Sequence, residues 1–315
     1  MPRHATPALG ATTVTEHSVP GNTAPGNTAP GNTAPGNTAP EVVLAAEDVS
    51  IDFGGLHALD GVTMEVRAGE AVGIIGPNGA GKTTFLNCVS GLLTPTRGRI
   101  WVGSEEVSTL RAHQIAAKGV ARTFQAPFLM PKATVLSNVM LGAHLAMRAM
   151  PVSNLLYVGR TRREERMAAE RAEHTLSFLD LARYRDRVAS EIPHGVAKLV
   201  EVARALVQRP KLLLLDEPTS GMTPSEKSRI VDILAAVRAE LGVTLVIIEH
   251  DVPFIRTVCD RLVVLNFGRV LAAGPPDDVL RDEKVRQGYL GQLGTATLAH
   301  HQRSKDLSLF TTTRR

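Results

Sequence analysis

Two cysteines, no apolar run long enough to cross a bilayer, and almost no charge imbalance before the last twenty residues set the outer limits on this chain of 315 residues. Cys88 and Cys259 are too few for a disulfide framework and lack metal-ligand spacing, so both are expected to be reduced core residues of a cytosolic protein. No stretch reaches the roughly 18 consecutive apolar residues of a membrane span, and no apolar segment follows Arg3, so neither a transmembrane helix nor a secretory signal is expected. The formal charge is +4, but Arg303, Lys305, Arg314 and Arg315 against Asp306 place +3 of it after Thr295. Arg3 and Glu16 cancel in the first 40 residues, so the body is close to neutral, which argues against a nucleic-acid groove.

The segment Pro20 to Pro40 lacks large apolar side chains altogether and repeats Pro-Gly-Asn-Thr-Ala four times before a fifth proline. With nothing to bury, residues 1–40 are expected to be a disordered leader, and a five-residue period does not match the three-residue turn of a polyproline ligand. Residues 295–315 read as a flexible basic tail. Between them, 41–294 form the folded unit, and a hydrophobic content of 43% is enough for one sizeable core.

What that unit contains is a phosphate-binding loop. Gly76 to Thr84 read G-P-N-G-A-G-K-T-T directly after the apolar run Ala71–Ile75, and Phe85, Leu86 and Val89 follow at helical spacing. Gly76, Asn78, Gly79, Ala80, Gly81 and Thr84 would turn backbone N–H groups toward the phosphates of ATP or GTP, Lys82 adds a point charge, and Thr83 offers a hydroxyl to Mg2+. Far downstream, Lys211–Leu215 read as a strand buried on both faces that ends in Asp216 and Glu217. Strand ends are where an open parallel sheet binds ligands, so Asp216 is placed to hold the metal through water and Glu217 to polarise the attacking water. Gln125, after Arg122-Thr123-Phe124, is placed to reach both metal and water, and His250, after the strand Val243–Ile248, to contact the γ-phosphate.

The order of these pieces resembles the ATPase subunit of ATP-binding-cassette (ABC) transporters, over about Val42 to Gly291. The resemblance implies a P-loop α/β fold with an antiparallel β subdomain and an inserted α-helical subdomain at about 126–205. It also implies that Phe53 stacks on adenine, that Gln125 sits at the hinge of the helical subdomain, that Gly221-Met222-Thr223-Pro224 form the D-loop, and that His250 is the switch histidine. In the family the helical subdomain docks on a membrane permease and a second ABC ATPase subunit completes each site. The family signature Leu-Ser-Gly-Gly-Gln aligns on Ile192-Pro193-His194-Gly195-Val196, where only Gly195 matches. Pro193 has neither hydroxyl nor N–H, so this segment is either a weakened signature or a variant spelling of equal competence.

Phe53-Gly54-Gly55-Leu56-His57-Ala58-Leu59, Ala121–Gln125, Ile248-Glu249-His250-Asp251 and Tyr289-Leu290-Gly291 are similar to ATPases of high-affinity branched-chain amino-acid importers, whose relatives serve urea and short amides. The implied protein is cytoplasmic and peripheral on the inner face of the cell membrane, works with permease subunits and indirectly with a solute-binding protein, and uses ATP and Mg2+. Lipid or lipopolysaccharide export, or ribosome or DNA work without a transporter, are the rival readings. The two cassettes per chain and the coiled-coil or zinc insertions of the last group do not occur here. Val135 to Met150 and Arg160 to Leu181 are expected to be helices, the second with Ala168, Ala172, Leu176 and Leu179 on one stripe and an Arg166–Glu170 pair. Deleting residues 1–40 should leave the ATPase rate and transport unchanged; loss of either would show that the repeat is a docking element.

Overall fold

A computed structural model describes residues 41–146 and 158–287; the leader, the tail and Tyr289–Gly291 lie outside the described residues. In chain order the elements are β1 (Val42–Phe53), β2 (Leu56–Arg67), β3 (Ala71–Ile75), α1 (Lys82–Val89), β4 (Arg97–Val102), β5 (Glu105–Glu106), α2 (Ala112–Ala117), β6 (Val120–Arg122), α3 (Val135–Ala146) and α4 (Val158–Phe178). There follow α5 (His194–Leu206), β7 (Leu212–Asp216), α6 (Pro224–Leu241), β8 (Thr244–Ile248), α7 (Val252–Val258), β9 (Arg261–Asn266), β10 (Arg269–Gly274), α8 (Pro276–Arg281) and α9 (Glu283–Val285).

The strands make two sheets. One is antiparallel, ordered β2-β1-β4-β5; the other is ordered β10-β9-β3-β8-β7-β6, parallel except for the β9–β10 hairpin at its edge. The apolar runs become its central strands because such a strand must be covered on both faces. Side chains alternate across a strand, and the two cores divide them accordingly. Val72, Ile74, Leu212, Leu214, Val246 and Ile248 face the core shared with the antiparallel sheet and α1. Ala71, Ile75, Leu213, Leu215, Leu245 and Ile247 face the core shared with α3 to α7. Each of the four leucines of β7 is 0% exposed, a burial that contributes roughly 1.5–3 kcal/mol apiece. Cys88 and Cys259 are buried, and burial pushes both thiols up to about 12, so they stay protonated near neutral pH.

β2 starts as early as Leu56, because the Gly54-Gly55 turn folds it back on β1 and the pairing runs from Phe53 opposite Leu56 to Val42 opposite Arg67. Polar residues in its first half hid that from the apolar pattern. α4 ends at Phe178 because Asp180 takes a φ of 54° and Leu181 N–H bonds back to Leu176 O at 2.7 Å. Its expected stripe is the buried one: Ala168, Ala172, Leu176 and Leu179 are at most 1% exposed.

Between β6 and β7 the described elements are helices, and α3 packs closely on α5 at Gly142. A Cβ there would lie 2.0 Å from Arg204 O. Gly142→Ala should therefore force the two helices apart and destabilise the protein by about 1–3 kcal/mol, read as a lowered Tm; an unchanged Tm would mean the helices can separate freely.

Candidate functional site

The ends of β3, β7 and β8 lie side by side in the sheet, and the loops leaving them make one cleft. It has a volume of about 670 Å³ and is lined by Phe53, Asn78 to Thr84, Gln125, Glu217 and His250, together with Phe267, which the sequence did not mark. Of the remaining expected site residues, Gly76 opens the loop from β3, Asp216 closes β7 beneath it, and Gly195 lies apart on α5.

The glycines act differently from one another. Gly76 has a φ of 152° and a Cβ there would sit 2.1 Å from Leu265 O; Gly81, at the start of α1, has a φ of 99° and would meet Ala58 O at 2.5 Å. At Gly79 nothing lies within 4 Å, so its φ of 79° alone demands glycine. Lys82 folds back on the loop and donates to Gly76 O at 2.8 Å and Pro77 O at 2.9 Å. Burial pulls its ammonium below the ordinary lysine range, and the carboxylates of Glu217 and Asp216 act against that.

Asp216 is buried against Arg122, whose guanidinium donates to its Oδ2 at 3.0 Å, to Asn87 of α1 at 2.7 Å and to Ser90, which caps α1, at 3.0 Å. Burial raises the Asp216 carboxyl above its ordinary range, with Arg122 opposing. Glu217 stands at a φ of 49°, and its N–H prolongs the β7–β8 ladder to Ile248 O at 2.9 Å. Gln125 Nε2 donates to one oxygen of its carboxylate at 2.8 Å, and His250 Nε2 lies 3.0 Å from the other. Gln125, Glu217 and His250, separated by 92 and 33 residues, therefore meet on one carboxylate.

Several residues that build this arrangement escaped the sequence reading. Lys198, 4% exposed on α5, donates to Gln125 O at 2.5 Å and to Glu217 O at 2.9 Å. Burial lowers its pKa, opposed first by Glu201. Glu201, 2% exposed and one turn further along, accepts from Phe124 N at 3.4 Å and Phe128 N at 2.7 Å. The i,i+3 spacing puts both on one face of α5, so the helix grips the Gln125 loop at a carbonyl and at two amides. Glu249, also buried, accepts from Thr219 N at 2.8 Å and from His250 N at 2.9 Å, which fixes the loop that carries His250. The one available signal was a charge pattern, Lys198-x-x-Glu201-x-x-Arg204, on a largely apolar helix.

In the altered signature, Pro193 is the residue that caps α5. Its carbonyl accepts the first helical bond, from Ala197 N at 3.0 Å, so the free amides of the first turn start at His194. Proline here removes a capping hydroxyl and none of those amides. Gly195 is packed so tightly that a Cβ would lie 2.1 Å from Glu226 Oε1, and His194 Nε2 would be 3.1 Å from a Cβ on Gly221, so the signature and the D-loop segment touch within one chain.

A parallel sheet with a glycine-rich loop at one strand end and paired carboxylates at the end of another is the architecture of a P-loop nucleoside triphosphatase. Comparison with known proteins narrows the class. A family model described as "ABC transporter" matches residues 59–220. The chain is 37% identical to the high-affinity branched-chain amino acid transport ATP-binding protein BraF of Pseudomonas aeruginosa, over 79% of this chain and 98% of that one. It is 36% identical to LivG of Escherichia coli K12 over the same shares. A solved nucleotide-free ATP-binding cassette from an ABC transporter superposes with a TM-score of 0.70 at 34% identity, covering 79% of this chain and 98% of that one. A dimeric cassette in a post-hydrolysis state with ADP and Pi superposes at 0.62 with 26% identity, covering 74% and 98%. The chain belongs to the ABC transporter family.

Lys198 is not itself part of the cleft lining and holds Gln125 and Glu217 only by their backbone carbonyls. Lys198→Met should therefore lower turnover about tenfold or more through misplacement of Glu217 and Gln125, with ATP affinity nearly unchanged; an ATPase rate equal to the parent's would contradict that role.

Proposed function

We infer that this chain binds and hydrolyses ATP as one half of a cassette dimer and thereby drives uptake of branched-chain amino acids through membrane permease subunits supplied by a solute-binding protein. The observation that carries the reading is the near full-length match, at 37% identity, to a branched-chain amino acid transport ATP-binding protein, joined to a cleft whose residues suit the chemistry.

In that cleft Lys82 and the amides of the phosphate loop stabilise negative charge on the γ-phosphate. Thr83, Asp216 and Gln125 offer oxygen atoms alone, a donor set that suits a hard cation; Mg2+ held there would neutralise phosphate charge. Gln125 binds Glu217 through its nitrogen, which leaves its oxygen for the cation. Glu217 orients or deprotonates the water, and His250 keeps the carboxylate aligned with the γ-phosphate. Phe53, half exposed at the tip of β1, supplies a stacking face for adenine. Gly195 and the first-turn amides of α5 are the groups that would meet the partner cassette's ATP.

Among the described residues no helix is long and apolar enough to cross a membrane. Attachment to the inner face would therefore come through the permease. The surface beside the Gln125 loop supports such docking: a groove of about 260 Å³ is lined by Leu92, Ile115 and Phe124, and further along the chain from Phe124, Phe128 is 81% exposed and Met130 54%. Apolar side chains exposed in one neighbourhood mark an interaction site, and Lys198 and Glu201 tie that neighbourhood to Glu217.

Glu217→Gln in the assembled transporter should retain ATP binding and lose hydrolysis and leucine uptake by about 10²-fold or more. Lys82→Ala should lose binding itself. Hydrolysis at the parent rate by Glu217→Gln would overturn the assignment of the base, and uptake competed by urea or acetamide but not by leucine, isoleucine or valine would overturn the solute.

A further inference from the structure

The β9–β10 turn holds a residue that neither packing nor backbone preference explains. Phe267 is 83% exposed and has a φ of 45°, in the left-handed region. Asn, Asp or Gly would adopt that conformation with less strain, and a turn residue open to solvent gains nothing from a phenyl ring. Strained, exposed side chains of this kind collect where a ligand is met.

The turn is also firmly placed. Gly268 N donates to Ala80 O of the phosphate loop at 3.1 Å, and Gly268 O accepts from Asp60 N at 2.8 Å. Arg269 then holds the Asp60 carboxylate through its Nε at 2.8 Å. A Cβ on Gly268 would lie 2.9 Å from Ala58 O, so β2 and the turn are in close contact. Phe267 is thus presented by the same backbone that shapes the loop, and its side chain lines the nucleotide cleft together with Phe53, Leu56 and Ala58. The polar side of that cleft, with Lys82, Thr83, Glu217 and His250, suits the phosphates. The apolar side is left for the nucleoside.

We propose that Phe267 is a second aromatic wall for the adenosine part of the nucleotide, so that base and ribose are bounded by rings from the tip of β1 and from the β9–β10 turn. The proposal rests on the ATP-site reading above. A phenyl face carries no hydrogen-bonding code, so it strengthens binding of any purine nucleotide without choosing among them.

Phe267→Asn tests this, because asparagine accepts the left-handed conformation and removes the ring. The dissociation constants for ATP and GTP should both rise about tenfold, that for inorganic tripolyphosphate should not change, and the Tm of the nucleotide-free protein should stay level or rise. Phe267→Trp should keep the parent's ATP affinity. Trp101 is the chain's one native tryptophan, and the new fluorescence should respond to ATP and not to tripolyphosphate. Parent-level ATP affinity in Phe267→Asn would overturn the proposal, and so would equal losses of ATP and tripolyphosphate, which would make the turn a support for the phosphate loop alone. Lys82→Ala separates the two readings: it should weaken both ligands, and a parent protein that binds neither would overturn the ATP site together with the proposal.

Discussion

Glu217 is held at every polar atom it has. Its N–H extends the central sheet to Ile248, its carbonyl accepts from Lys198, and its two carboxylate oxygens meet Gln125 and His250. A φ of 49° turns the chain sharply off β7 so that this carboxylate faces the cleft instead of continuing the strand. Non-glycine residues rest in that region only where the surroundings over-determine them, and here one neighbouring strand, one helix and two loops do so. The two cores matter to function because they fix β3, β7 and β8 side by side, and with them the lysine loop, the carboxylates and the histidine.

The same residue is where the helical layer connects to the chemistry. Lys198 reaches both Gln125 and Glu217, and Glu201 takes the amides of Phe124 and Phe128. A movement of α5 relative to the sheet would therefore move the Gln125 loop and alter the grip on Glu217 together. α5 also begins beside Gly195, so a displacement of that segment, or of the loop at Phe128, would be passed toward Glu217 through the buried side chains of Lys198 and Glu201. The family comparison establishes the kind of machine; these contacts show how its parts are joined in this chain.

The sheet and phosphate loop were legible because each obeys a rule that acts locally: a strand covered on both faces is an unbroken apolar run, and a loop around phosphates needs glycine beside lysine and threonine. Residues 71–91 and 211–217 carried those rules in plain form. Lys198, Glu201 and Arg122 were opaque for the opposite reason. Lys198 and Glu201 bind loop backbone 73 to 77 residues away, and Arg122 binds Asp216 at a distance of 94, so no spacing announces them. Pro193 left two readings open for a subtler reason, since the cost of its missing N–H depends on whether it lies inside the first turn or caps it. Phe267 gave no sign at all, because its oddity is a backbone angle.

A structure of the chain with Mg2+ and a non-hydrolysable ATP analogue tests the central claim most directly, since that claim is that Glu217 is already aimed at the water it will use. The account predicts the carboxylate within hydrogen-bonding distance of a water in line with the γ-phosphate, His250 beside it, and Lys198 still on the carbonyls of Gln125 and Glu217. A carboxylate turned away from the γ-phosphate, with no water between them and another residue in that place, would contradict it.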